Sequence, residues 1–174
     1  MNSILALNGI MGVGKSTIGK KLAEQINYYF IDLDSEIEDR FGCSISEIFS
    51  KKGEESFREI EYKLLNEIIT RNEKIVIALG GGTYIYEKSR ILLQNNAITI
   101  WLNSDLDEIF NRLKNKNNRP LLNFGNKKKI LQDLIAKRNP IYQESNYMIN
   151  IFKKKSDQLV NEIINLLSKN DGKN

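Results

Sequence analysis

The chain has 174 residues, of which 41% are hydrophobic and 28% charged, and its formal net charge is +4. That length allows one compact domain with a real core, and the charge balance is too modest to call for a polyanionic partner. Histidine is absent and Cys43 is the single cysteine, which excludes His-based acid–base chemistry, Ser-His-Asp triads, His-ligated zinc and an intrachain disulfide.

Chemistry must therefore come from Lys, Arg, Asp, Glu or a bound metal. Cys43 reads as a small packing residue, because no histidine can activate it. No basic segment precedes the first apolar run, so no signal peptide is expected. No stretch approaches the roughly 18 apolar residues needed to span a bilayer. A cytoplasmic location, with no membrane partner, is the expectation.

Ile4 to Asn8 reads as a buried strand. Gly9-Ile10-Met11-Gly12-Val13-Gly14-Lys15-Ser16-Thr17 follows and fits the pattern G-x-x-x-x-G-K-[ST]. Thr17 to Ile26 then reads as a helix, with Ile18, Leu22 and Ile26 on one face. A strand, a glycine-rich turn and a helix N-terminus together make an anion cradle of converging backbone N–H groups. Gly12, Val13, Gly14, Lys15, Ser16 and Thr17 would hold the phosphates of ATP. Lys15 would reach the β- and γ-phosphates, and Ser16 would place its hydroxyl on Mg²⁺.

Tyr28 to Ile31 is the second strand, followed by Asp32-Leu33-Asp34. Ligands bind beyond the carboxyl ends of strands in doubly wound sheets, so these carboxylates and Lys15 would face one crevice. Continued extended backbone would send Asp32 and Asp34 to the same side. A carboxylate there can hold a metal's hydration shell or accept a proton from an attacking hydroxyl. Asp34 also precedes Ser35-Glu36-Ile37 and could equally cap a helix.

Ser44-Ile45-Ser46-Glu47 has capping-box spacing and opens a short helix through Phe49, which Gly53 separates from a longer one. In the longer helix Phe57, Ile60, Leu64, Leu65, Ile68 and Ile69 form one apolar stripe. Arg58 and Glu61 are three residues apart and can touch on the surface away from that stripe. Ile75 to Leu79 is the third strand, and Gly80-Gly81-Gly82 directly after it points to close backbone approach to a ligand.

Ala97 to Leu102 and Tyr147 to Ile151 complete the strands, with helices expected over about Asp105 to Lys114, Lys127 to Arg138 and Asp157 to Leu167. The polar run Asn115 to Asn126, with one Pro-Leu-Leu island, reads as a flap, and Lys169 to Asn174 as a frayed tail. Short apolar runs alternating with helical patterns predict a three-layer α/β fold built on a parallel sheet. Neither a repeat nor an interdomain linker interrupts residues 1–174, which read as a single domain.

Arg58, Arg112, Arg119 and Arg138 stand out in a lysine-preferring chain, because only arginine offers a planar fork for carboxylate and phosphate. Arg119 lies in the flap, where it can swing over a transferring phosphoryl group. Asp39-Arg40-Phe41-Gly42 fits D-x-x-G but follows an acidic helix, and Asn115-Lys116-Asn117-Asn118 lacks the aspartate of N-K-x-D. Both weigh against a GTPase. Lys127-Lys128-Lys129 and Lys153-Lys154-Lys155 read as solvated surface, and no nucleic-acid partner is expected. A nucleotide-dependent nucleic-acid module is the competing class and would bind with a steep salt dependence.

Taken together the motifs resemble those of the shikimate kinase family. The phosphate loop, Asp32-x-Asp34, Ser44-Ile45-x-Glu47-Ile48-Phe49, Gly53-Glu54, Phe57-Arg58-x-x-Glu61, Leu79-Gly80-Gly81-Gly82, Arg119-Pro120-Leu121-Leu122 and Arg138-x-x-x-Tyr142 occur in order over about residues 4 to 145. The resemblance implies a five-stranded parallel sheet in the order 2-3-1-4-5 and a mobile lid over about residues 115–126. It implies transfer of the ATP γ-phosphoryl group to the 3-hydroxyl of shikimate, a step towards chorismate and the aromatic amino acids, by a monomer. On that resemblance Lys15 stabilises the moving phosphoryl group, and Ser16 binds Mg²⁺, with Asp32 acting through water. Asp34 holds the substrate hydroxyls, Arg58 and Arg138 clamp its carboxylate, and Glu61 orients Arg58. Gly80, Gly81 and Gly82 line the pocket, Arg119 closes over the phosphates and Arg112 lies along the adenine. The loop Phe152 to Asp157 departs from the family in having no proline. A gluconate kinase on the same fold is the nearest alternative and would need a different acceptor pocket.

Overall fold

The structure, a computed structural model, describes residues 4–71, 73–113 and 126–171. Its strands are β1 (Ile4–Asn8), β2 (Tyr29–Asp32), β3 (Ile75–Ala78), β4 (Ile98–Asn103) and β5 (Tyr147–Asn150). Its helices are α1 (Lys15–Ile26), α2 (Leu33–Phe41), α3 (Ile45–Thr70), α4 (Glu87–Asn96), α5 (Leu106–Leu113), α6 (Lys127–Tyr142) and α7 (Ser156–Asp171). The strands form one parallel sheet in the order β2-β3-β1-β4-β5. The sheet order matches the expectation.

The period-two alternation of β1 divides the core. Leu5 and Leu7 point into one apolar cluster, with Ile18 and Leu22 of α1, Ile109 of α5 and Val160 and Ile163 of α7. Ile4 and Ala6 point into the other, with Ile37 of α2, Leu64, Leu65 and Ile68 of α3 and Leu93 of α4. β1 and β3 are buried along their whole length, as a sheet covered on both faces requires. Their carboxyl ends therefore open along one edge of the molecule, where the loops carrying the polar motifs gather.

Several boundaries differ from the sequence reading. β2 runs to Asp32, whose carboxylate accepts from Ser35 N at 3.3 Å and caps α2. Helix geometry thus begins at Leu33, and Asp34 lies in the first turn of α2, not in extended backbone or at the cap. The Ser44–Glu47 capping box forms, and Gly53 (φ 76°, ψ 171°) kinks α3 between its short and long arms. Along the stripe Phe57, Leu64, Leu65, Ile68 and Ile69 are buried, and Ile60 is half-buried.

α6 does not stop at Arg138; it continues through Asn139 and Pro140 to Tyr142. Tyr142 is fully buried against Tyr84 and Trp101, and its hydroxyl donates to Gly81 O at 2.6 Å. That burial outweighs the proline's local preference to end the helix. α7 likewise extends through Asp171, past the point where fraying was expected. The flap lies outside the described residues except for Asn126, which caps α6 by accepting from Lys128 N and Lys129 N.

Candidate active site

The turn from β1 into α1 builds the first half of the site. No side chain caps α1, and its first turn carries no acidic residue. The orphan N–H groups and the positive end of the helix dipole are thereby available to an anion. Lys15 Nζ folds back over the loop and donates to Gly9 O at 2.9 Å and to Ile10 O at 3.2 Å. Ser16 Oγ donates to Asp32 Oδ2, which brings the end of β2 to the start of α1. Met11, Gly12, Gly14, Lys15, Ser16, Thr17, Asp32, Asp34, Leu79 and Gly81 line the resulting crevice.

A second cavity opens beside it, walled by Met11, Asp34, Ile45, Phe49, Phe57, Arg58, Glu61, Gly80, Gly81, Gly82 and Arg138. Met11, Asp34 and Gly81 belong to both spaces, so Asp34 stands at the junction between the phosphate crevice and the inner cavity. Two arginines from distant helices meet in this cavity. Phe49 and Phe57 pack on each other with ring centroids 4.8 Å apart, and Arg58 lies against both, its Cζ 5.6 and 5.3 Å from their centroids. Its Nη1 donates to Glu61 Oε2, and its Nη2 to Glu54 Oε1 at 3.4 Å. Arg138 Nη1 donates to Gly81 O at 2.9 Å, the carbonyl that also accepts from Tyr142.

The glycines after β3 leave room for this assembly. A Cβ on Gly82 would stand 2.5 Å from Arg58 Cζ, and one on Gly80 would stand 2.6 Å from Asp34 Oδ1 and 2.8 Å from Glu61 Oε1. A Cβ on Gly81 would meet Arg138 Nη1 and Met11 N at 3.6 Å, an ordinary contact. Close approach is therefore a demand on Gly80 and Gly82 and not on Gly81.

Arg58 and Glu61 touch, as their spacing predicts, but not on the surface: they are only 9% and 1% exposed. The turn after β3 covers them. Burial pushes the Glu61 carboxyl above its ordinary range, opposed by the charge of Arg58 and the hydrogen bond from Thr83. Burial likewise pushes the Tyr142 phenol up to about 12, so it is a hydrogen-bond donor at any working pH.

Arg112 sits on the far side of the phosphate loop, donating to Val13 O at 3.4 Å and to Glu108. It borders a surface hollow with Asp105, Asn111, Phe152 and Lys153, so the proline-free loop does reach its neighbourhood. Arg119 lies outside the described residues. Sequence reasoning named Ile45 only as part of the Ser44-to-Phe49 motif, and it did not single out Met11 or Thr83. Met11 occupies an unspecified position of the loop pattern, and nothing local marks Thr83.

Hard oxygen donors suit Mg²⁺, and Ser16 and Asp32 supply a hydroxyl and a carboxylate side by side. Among the described residues no cluster of three or more His, Cys, Asp or Glu could hold a metal. Among the described residues, too, no helix is long and apolar enough to cross a membrane.

The family model described as shikimate kinase matches residues 11–168. A shikimate kinase of Bartonella henselae is 39% identical over 163 residues, 94% of this chain and 77% of its own length. The solved shikimate kinase of Acinetobacter baumannii, in complex with shikimate, superposes with a TM-score of 0.93 at 35% identity, covering 98% of this chain and 95% of its own. A gluconokinase from Sinorhizobium meliloti shares the fold, with a TM-score of 0.62 at 16% identity over 95% of this chain and 91% of its own. The ordered motifs, the sheet and the paired cavities thus converge with these likenesses: the chain belongs to the shikimate kinase family.

Proposed function

We infer that this chain transfers the γ-phosphoryl group of ATP to the 3-hydroxyl of shikimate, giving shikimate 3-phosphate and ADP, and that the two joined cavities divide the work. The observation that carries the division is the shared wall of Met11, Asp34 and Gly81 between a phosphate crevice and a cavity holding two arginines. Shikimate is a small carboxylated triol. Arg58 and Arg138 suit its carboxylate, and Asp34 at the junction suits a hydroxyl turned towards the phosphate.

In this reading the first-turn N–H groups of α1 and the Gly12–Ser16 backbone hold the phosphates. Lys15 leaves its carbonyl partners to follow the charge of the moving phosphoryl group. Ser16 and Asp32 would hold Mg²⁺, which would supply charge neutralisation to the phosphates. Asp34 orients the acceptor hydroxyl and takes its proton as the new P–O bond forms. Glu61 fixes Arg58, and Gly80 to Gly82 shape the wall. Arg112 borders the adenine, and Arg119 belongs to this reading on sequence grounds alone. Phosphoryl transfer depends on positioning and electrostatics more than on a strong base, so a chain without histidine is adequate to it. The protein works as a monomer in the cytoplasm.

The test is ADP release from Mg·ATP by purified protein, with shikimate, with gluconate and with neither, beside a Lys15→Ala control. Turnover that requires shikimate and disappears in the control is expected. Turnover that gluconate supports equally well would overturn the acceptor assignment.

A further inference from the structure

Resting on the reading of Arg58 as a carboxylate clamp, we propose that Thr83 is a positioning residue for shikimate, acting through Glu61 on Arg58. Thr83 lies just past the triple glycine, in the turn closed by its own N–H on Gly80 O at 3.2 Å. Its side chain is fully buried, does not line the acceptor cavity, and its hydroxyl donates to Glu61 Oε1 at 2.7 Å. Glu61 Oε2 takes the hydrogen bond from Arg58 Nη1. The two oxygens of one buried carboxylate are thus divided between the Thr83 hydroxyl and the guanidinium that faces the cavity.

The arrangement has a reason to be there. A carboxylate that is 1% exposed is shut off from bulk solvent, and a lone Arg58 contact would let it rotate about its terminal torsion. Asp34 adds repulsion, because its negative charge acts on the Glu61 carboxylate, and both line the space that a Cβ on Gly80 would fill. The charged groups around Glu61 are Asp34 from α2, Arg58 from its own helix and Arg138 from α6, which shares the cavity wall. Thr83 is the neutral donor that fixes which way the carboxylate faces among them.

Removing the hydroxyl while keeping the shape, in Thr83→Val, leaves a buried carboxylate oxygen unpaired and loosens Arg58. The shikimate KM should rise about tenfold, with the ATP KM changed less than about twofold. Thr83→Ser, which keeps the donor, should restore the shikimate KM to within about threefold of wild type. In an Arg58→Ala background, Thr83→Val should add almost nothing, because its route runs through Arg58.

Steady-state kinetics on the purified full chain read all three, with thermal unfolding of each variant alongside. Equal increases in both KM values, or a Thr83→Ser variant as impaired as Thr83→Val, would overturn the proposal and leave Thr83 a packing residue. An Arg58→Ala variant with the wild-type shikimate KM would instead overturn the clamp reading itself. If Thr83→Val fails to fold, Thr83→Ala with the same KM comparison decides the question.

Discussion

Gly82→Ala tests the geometry of the acceptor cavity most directly, because Gly81→Ala next to it provides a matched control. A methyl group on Gly82 would stand 2.5 Å from Arg58 Cζ and 2.8 Å from Nη1, where carbon contacts settle at about 3.5–4.0 Å. The guanidinium must then retreat by roughly 1 Å. An arginine end is normally free to do so, but this one is tied to Glu61 and packs against the Phe49 and Phe57 rings. Retreat costs a charge-assisted hydrogen bond to Glu61 or to the substrate carboxylate, about 1.5–3 kcal/mol, which is about 10- to 100-fold in shikimate KM. At Gly81 the same methyl group meets Arg138 Nη1 and Met11 N at 3.6 Å, and the backbone is not in the left-handed region. Gly81→Ala should therefore change the shikimate KM by less than about threefold. The assay is initial velocity of ADP release against shikimate at saturating ATP, repeated against ATP at saturating shikimate. A Gly82→Ala enzyme with a wild-type shikimate KM, or a Gly81→Ala enzyme equally damaged, would refute the steric argument.

Lys15→Ala should reduce kcat by about a thousandfold or more while far-UV circular dichroism and the melting temperature stay near wild type; measurable turnover near the wild-type rate would remove Lys15 from the chemistry. Tyr142→Phe deletes the donor to Gly81 O but leaves Arg138 on that carbonyl, so urea unfolding should show a loss of about 1 kcal/mol, and an unchanged midpoint would mean the hydroxyl contributes nothing. Glu61 gives a signed pH dependence. Its folded pKa lies above the ordinary 4.5 because of burial, so its contribution to stability is full below that value and declines as pH rises through the folded pKa. The unfolding free energy of wild type minus that of Glu61→Gln should fall between pH 4.5 and neutrality, and a difference that grows with pH would show that the pairing with Arg58 outweighs desolvation.

The parts of the site readable from sequence are those whose cause is local. The phosphate cradle needs a buried strand, glycines, a lysine and a helix start in fixed register, and all of these occur between Ile4 and Ile26. The Ser44–Glu47 box and the kink at Gly53 are equally local, and both form as read. Asp34 shows the limit. Two aspartates compete for the cap of α2, and Asp32 takes it because it also accepts from Ser16 across the crevice, a contact between residues 16 positions apart. Once the helix begins at Leu33, Asp34 is carried into its first turn and on to the wall between the two cavities.

Tertiary cover accounts for the rest. The spacing of Arg58 and Glu61 says that they can meet, but not that they are buried, because the cover is a turn more than 20 residues further on: Thr83 reaches back over 22 positions to Glu61. Pro140 reads as a stop, and it is overruled by Tyr142, whose ring and hydroxyl are worth more in the core than an uninterrupted helical hydrogen-bond ladder. The same long-range cover turns an ordinary threonine into a candidate positioning group. Alone in sequence Thr83 carries no signal, since its hydroxyl gains meaning only where a buried carboxylate has one oxygen engaged by an arginine and the other close to a second carboxylate. The direction of Arg58 is thus set by a carboxylate that accepts from it and by a hydroxyl that holds that carboxylate, and of the three groups only Thr83 leaves no mark in the sequence.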